Sequence, residues 1–243
     1  MKVVAIIQAR MGSTRLPGKI LKKVLDKPLL EYQIERVRRS ELIDEIVIAT
    51  TLNKDEQPII DFCNKHSLSF YRGSEKNVLS RYYEAAKEHN ADVVVRLTSD
   101  CPIIDASIID KVIREYLEYN DSINYTSNTL VRTYPRGMDT EVFSFQTLEN
   151  TYVNAGSNAE KEHVTPFIYQ HPELFGLLSV VNDIDTSNHR WTVDTKEDYL
   201  LIKKIIESLY ETNPIFSYHD ILEVLNNNKE MMNINSDIKQ KKL

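Results

Sequence analysis

The stretch Ile6-Ile7-Gln8-Ala9-Arg10-Met11-Gly12-Ser13-Thr14-Arg15-Leu16-Pro17-Gly18-Lys19 ends one kind of structure and begins another. The apolar run from Val3 to Ile7 reads as a buried strand. It breaks into a loop in which Arg10, Arg15 and Lys19 are interleaved with Gly12, Ser13 and Gly18. Glycine lets backbone approach a ligand closely, and successive free N–H groups make an anion-binding concavity. Arginine forks fit phosphate oxygens in pairs, and a lysine adds a compact charge. The loop therefore reads as a polyphosphate holder, although it matches neither G-x-x-x-x-G-K-[ST] nor G-x-G-x-x-G. The bland alternative is a turn with solvated cations. Three cations among small residues, directly after a first strand, favour phosphate.

Working outward, strand-like and helix-like segments alternate. Pro28–Arg39, Asp55–Ser67, Val78–His89 and Asp105–Tyr119 read as helices. In the last, Ile108, Ile109, Val112, Ile113, Tyr116 and Leu117 form a one-sided stripe. Glu45–Thr51 and Asp92–Leu97 read as buried strands, and Leu68–Tyr71 as a short one. Apolar strands alternating with amphipathic helices over residues 1–119 imply an α/β fold, a largely parallel sheet with helices on both faces. From Ser122 to Asp194 the character changes to polar strand-like pieces at 124–127, 140–145 and 174–181, with helical stretches near 146–154 and 160–170. The chain reads as one domain over 1–228. A nucleotide-binding half (1–121) is followed by an acceptor or dimerisation lobe (122–191) and closing helices (192–228), and a polar tail (229–243) is expected to fray.

The 243 residues suffice for a core without metal or disulfide staples. A net charge of −6 argues against a nucleic-acid binder, yet leaves room for a local cationic loop that holds one nucleotide. Cys63 and Cys101 lack metal-ligand spacing and fit a reducing, cytoplasmic setting. The start does not read as a signal peptide, and no run approaches the ~20 apolar residues of a membrane span.

Asp100 follows the strand Asp92–Leu97 within three residues. In open α/β sheets ligands bind beyond the carboxyl ends of strands, so Asp100 and the phosphate loop share one edge. A carboxylate facing a polyphosphate calls for a cation between them, and Mg²⁺ suits that gap. The alternative is a residue that shapes the turn before Cys101-Pro102. Asp194 lies just outside a helix opened by a capping box of Thr195 and Asp198. It reads either as a second metal carboxylate or as a loop acid near a helix N-terminus. Asp139 and Glu141 alternate, so they would share one side of a strand beside Arg136. They fit an acceptor's hydroxyls or an ion pair on a sheet edge. His163 reads as an acceptor contact or as a packing residue.

The opening loop resembles the signature of the sugar-acid cytidylyltransferases, which include the CMP-sialic acid and CMP-Kdo synthetases. The chain is most similar to the spore-coat polysaccharide, SpsF-like branch. Further matching pieces are Gly73-Ser74, Asn77-Val78-Leu79-Ser80-Arg81-Tyr82-Tyr83, Arg96-Leu97-Thr98-Ser99-Asp100-Cys101-Pro102, Gly137-Met138-Asp139-Thr140-Glu141-Val142-Phe143, Glu162-His163-Val164-Thr165-Pro166 and Thr192-Val193-Asp194-Thr195. The resemblance implies a three-layer α/β/α nucleotide-diphospho-sugar transferase-like fold with a mixed, mostly parallel sheet. It implies CTP as co-substrate, Mg²⁺ as cofactor, a small sugar-like acceptor and a homodimer. It places Ala9, Arg10, Gly12, Ser13, Arg15 and Lys19 on the triphosphate and Arg81 near the base. Asp100 becomes the main metal carboxylate and Asp194 the second. Read from the residues themselves, Arg136, Asp139, Glu141 and His163 are the candidate acceptor contacts, with the cation of Arg136 favouring an anionic acceptor such as a sugar acid, and Arg15, Lys19 and Asp100 are the candidates for catalysis. Two departures stand out: Thr98-Ser99-Asp100 replaces the Gln-Gly-Asp of CMP-Kdo synthetases, and Ser80 replaces an acidic residue.

The reaction expected is attack of an acceptor oxygen on the α-phosphorus of CTP, with loss of pyrophosphate, for surface polysaccharide or glycoconjugate biosynthesis. Two alternatives compete. A glycosyltransferase of related fold commonly carries Asp-x-Asp, where this chain has Ser99-Asp100-Cys101. A non-catalytic nucleotide-binding protein would have no need of both Asp100 and Asp194.

Overall fold

Val3–Gln8 (β1) is apolar up to its last residue and is the third strand of a seven-stranded sheet, in a computed structural model that describes residues 1–239. Its Ala5 and Ile7 pack into one core and its Val4 and Ile6 into another, so both faces are covered. Glu45–Thr51 (β4) and Val93–Thr98 (β6) flank it in parallel, and Ser69–Gly73 (β5) extends the sheet beyond β4. Between β1 and β4 run a small hairpin, Lys23–Val24 (β2) with Lys27–Pro28 (β3), and the helix Leu29–Val37 (α1). Gln57–Lys65 (α2) connects β4 to β5, Val78–Glu88 (α3) leads into β6, and Ala106–Tyr119 (α4) follows β6.

The lobe expected at 122–191 completes this sheet. Tyr125–Ser127 (β7), Glu141–Ser144 (β8) and Leu177–Ser179 (β9) give the order β5-β4-β1-β6-β8-β7-β9. β8 runs antiparallel to both β6 and β7, which makes the sheet mixed. Phe145–Asn154 (α5), Asn158–His163 (α6) and Pro166–Gln170 (α7) cover one face. The stretch 160–170 is therefore two helices. Val164, at φ 73, ends the first, and Pro166 starts the second, where its missing N–H costs nothing.

Lys196–Leu209 (α8) and Tyr218–Asn227 (α9) join α1 and α4 on the other face. In α8, Leu201, Ile202, Ile205 and Ile206 are at most 2% exposed. Each such side chain contributes roughly 1.5–3 kcal/mol of burial. The expectation of a frayed tail is corrected over the described residues. Lys229–Met232 (α10) follows directly, Met231 is buried against the α8–α9 core, and Asn235 is buried too. An apolar anchor and a polar residue with buried partners hold the segment down. Residues 240–243 of that tail lie outside the described residues. Among the described residues, no helix is long and apolar enough to cross a membrane.

Candidate active site

Three chain segments meet beyond the carboxyl ends of β1 and β6. The Asp100 carbonyl accepts hydrogen bonds from Val193 N (2.8 Å) and Thr192 Oγ1 (3.2 Å), which lays residues 192–194 against the turn after β6. Residues 136–137 lie along 190–191, with Trp191 N donating to Arg136 O at 2.7 Å. Gly137 permits this approach: its φ is +105, and a Cβ would lie 2.6 Å from Trp191 backbone atoms. Thr98, Asp100, Cys101, Arg136, Gly137, Asp139, Thr192 and Asp194 line the resulting cleft of about 140 Å³.

Lys19 joins the two predicted metal carboxylates. Its Nζ donates to Asp100 Oδ2 at 3.0 Å and to Asp194 Oδ1 at 2.9 Å. Burial lowers the lysine's pKa, but attraction to Asp100 and Asp194 outweighs burial and the net shift is upward. Asp100 shows the mirror image. Burial raises its pKa, while Lys19 and a 2.6 Å hydrogen bond from Thr98 Oγ1 bring it below the usual carboxylate range. Arg15 reaches the same place, with Nη2 3.1 Å from Asp194 Oδ2. Burial, then the negative charges of Asp100 and Asp139, push the Cys101 thiol well above its ordinary value, which favours the neutral thiol.

The rest of the loop is built as an open cradle. Ala9 is buried and its N–H donates to Ala49 O at 3.0 Å, fixing the exit from β1. Arg10 and Gly12 are exposed, and Ser13 accepts from Leu16 N at 3.4 Å. Gly18, at φ 65, folds the loop back on Met11 O. Glu56 holds the base of the cradle: its Oε2 accepts from Met11 N at 2.8 Å and its Oε1 from Thr51 Oγ1 at 3.2 Å. Sequence reasoning passed over Glu56; its one signal was an acid soon after the second buried strand. Arg81, 2% exposed, lies against Gly73 and donates to Ser74 O at 3.0 Å. Burial lowers its pKa, and the nearby Arg10 charge lowers it further. Two cations that repel across this region favour an anion between them.

The acceptor residues separate. Asp139 lies in the cleft but is gripped by Arg132 through contacts of 2.6 and 2.9 Å. β8 begins only at Glu141, so Asp139 lies ahead of the strand and strand alternation does not relate the two; the Glu141 carboxylate pairs with Arg96 on β6 at 2.5 Å. The two carboxylates thus serve different arginines, and the shared-face expectation is corrected. The ion-pair alternative fits Glu141, inside the sheet rather than on its edge. His163 ends α6 and is not among the residues that line the cleft. Arg136 lines it, and its guanidinium has no hydrogen-bonding or ion-pair partner among the described residues. Burial and then repulsion from Arg132 lower its pKa.

An array behind the cleft was missed from sequence. Arg190 Nη2 donates to Asp194 Oδ2 at 2.7 Å and, with Nε, grips Asp198 at 3.1 and 2.9 Å. Asp198 closes the expected capping box with Thr195. Asn235 Nδ2 donates to Asp198 Oδ1 at 2.8 Å and to Arg190 O at 2.9 Å. Asp100 and Asp194 together offer hard carboxylate oxygens within 3.0 Å of one cationic centre, a donor pair that suits a divalent ion. Among the described residues no third His, Cys, Asp or Glu completes such a group, so phosphate and water oxygens would have to complete it.

A family model described as cytidylyltransferase matches residues 4–240. The chain is 37% identical over 243 residues to an uncharacterized protein of Methanocaldococcus jannaschii, covering 99% of this chain and 97% of that one. It is 33% identical over 235 residues to the spore coat polysaccharide biosynthesis protein SpsF of Bacillus subtilis, covering 94% and 95% of the two chains. The structure of a cytidylyltransferase from Leptospira borgpetersenii matches with a TM-score of 0.92 and 36% identity over 100% of both chains. The chain therefore belongs to the cytidylyltransferase family and is a CTP-dependent nucleotidyltransferase.

Proposed function

We propose that this enzyme transfers CMP from CTP to an anionic, sugar-acid-like acceptor, releasing pyrophosphate, in surface polysaccharide or glycoconjugate biosynthesis. The observation that carries the anionic acceptor is Arg136, a cleft-lining guanidinium without a carboxylate partner among the described residues. The SpsF relative supports the pathway class.

The triphosphate lies in the loop of residues 9–19, with Arg10, Arg15, Lys19 and free N–H groups on its oxygens. An acceptor oxygen attacks the α-phosphorus in line: the new O–P bond forms as the bond to the pyrophosphate oxygen breaks. Arg15 and Lys19 offset the charge on the departing pyrophosphate. Arg136 binds the acceptor's anionic group and so holds its attacking oxygen in place. Asp100 and Asp194 would hold Mg²⁺, which when bound supplies charge neutralisation on the phosphate oxygens. An acceptor that reacts as an anion needs no general base. The family resemblance supports a homodimer formed through the 122–191 lobe, where Val131, Val153, Leu174 and Ile184 are each more than half exposed. Sedimentation at two concentrations tests it, and a monomer at both removes it.

The test is pyrophosphate release from CTP against 2-keto-3-deoxy sugar acids, sugar phosphates, phosphonates and neutral sugars. Only anionic acceptors are expected to support turnover. Arg136→Ala should raise the acceptor KM by about tenfold or more, the weight of a charge-assisted hydrogen bond, and leave the CTP KM alone. Equal use of neutral sugars, or an unchanged acceptor KM, contradicts the reading.

A further inference from the structure

The cation between the two site carboxylates belongs to the protein itself. Lys19 Nζ lies 3.0 Å from Asp100 Oδ2 and 2.9 Å from Asp194 Oδ1, with its side chain only 12% exposed. The other oxygens are engaged as well. Asp100 Oδ1 accepts from Thr98 Oγ1 at 2.6 Å, and Asp194 Oδ2 faces Arg190 at 2.7 Å and Arg15 at 3.1 Å. The charges balance: Arg15, Lys19 and Arg190 oppose Asp100, Asp194 and Asp198 in one connected cluster. A divalent ion arriving alone must push its own charge into a neutral cluster and against an ammonium at contact distance. A triphosphate changes both conditions, because it brings negative charge and gives Lys19 another anion to hold. Lysine suits the exchange, since its point charge rides on a flexible four-carbon stem.

We propose that Lys19 is the resident counter-ion of the nucleotide-free site, and that a divalent cation gains Asp100 and Asp194 only when a triphosphate draws Lys19 away. Metal and nucleotide then enter together, and the carboxylates are never left bare. This deepens the cytidylyltransferase reading and rests on it for the nucleotide arm alone.

Binding of Mn²⁺ to the full chain, followed by electron paramagnetic resonance without nucleotide, tests the idea. Lys19→Gln should bind Mn²⁺ at least tenfold more tightly than wild type. Lys19→Arg should behave as wild type, and adding Asp194→Asn to Lys19→Gln should remove the gain. Equal Mn²⁺ affinity in wild type and a folded Lys19→Gln overturns the proposal. A second measurement needs no variant. In ¹⁵N-lysine spectra of the wild-type chain, the Lys19 ammonium resonance should move with CTP plus Mg²⁺ and stay put with Mg²⁺ alone. Movement with Mg²⁺ alone overturns the proposal too. Calorimetry with CTP separates the two readings: failure to bind CTP sinks the nucleotidyl-transfer reading, whereas CTP binding with unchanged Mn²⁺ affinity in Lys19→Gln sinks only this one.

Discussion

Replacing Asp198 by asparagine removes a charge that lies wholly out of solvent, at 0% exposure. The carboxylate accepts from Arg190 Nε (2.9 Å), Arg190 Nη2 (3.1 Å), Asn235 Nδ2 (2.8 Å), Asp194 N (3.0 Å) and Thr195 N (3.1 Å). An asparagine keeps the shape, but turns an NH₂ toward donors on at least one side. Removing one partner of a buried ion pair costs about 3–5 kcal/mol. Arg190 retains Asp194 at 2.7 Å, so the lower end applies. At about 2–4 °C per kcal/mol for a domain of this size, a cost of ~3 kcal/mol lowers Tm by roughly 6–12 °C. Thermal unfolding followed by circular dichroism, without nucleotide, reads it. Asn235→Ala should cost about 1 kcal/mol, and the double variant should cost less than the sum, because both act on one network. A Tm shift below about 2 °C for Asp198→Asn, or strict additivity, would refute this account of the array.

Asp100→Asn should cut pyrophosphate release by about a hundredfold or more at saturating Mg²⁺, and near-normal turnover would remove Asp100 from the chemistry. The Lys19–Asp100 pair also predicts a pH signature. Lys19, raised above 10.5, contributes stability below that value and loses it as pH climbs through the raised value. Asp100, lowered below 3.8, contributes stability above that value and loses it as pH falls through the lowered one. Urea midpoints of wild type and Lys19→Gln should therefore differ most between those limits and converge at both ends; a gap that ignores pH would be inconsistent with the pair. Gly137→Ala forces a Cβ to within 2.6 Å of the Trp191 backbone at a φ of +105. It should cost about 2–3 kcal/mol in chemical denaturation, and an unchanged midpoint would contradict the close approach.

Much of this was legible from local pattern. The strand into β1, the loop after it and the stripe of α4 all follow from periodicity and residue type, and the structure buries Ile108, Ile109, Val112 and Ile113 as the spacing predicts. The capping box of Thr195 and Asp198 was readable because its partners are three residues apart. What escaped depends on distant chain. Lys19 meets partners 81 and 175 positions away, and Asn235 meets Asp198 across 37. Glu141 shows the limit of a period-two argument. Alternation gives a face, but only the placement of β8 between β6 and β7 sets Arg96 opposite it. The tail misled because its polarity suggested solvent, whereas Asn235 spends its amide on buried acceptors.

The most direct test of the central claim follows two labels. The full chain is incubated with Mg²⁺, an anionic sugar-acid acceptor and CTP carrying ³²P at either the α or the γ position. Nucleotidyl transfer predicts α-label in the acceptor conjugate and γ-label in pyrophosphate. Label from the γ position in the acceptor, or both labels remaining in CTP with every acceptor class, would contradict it.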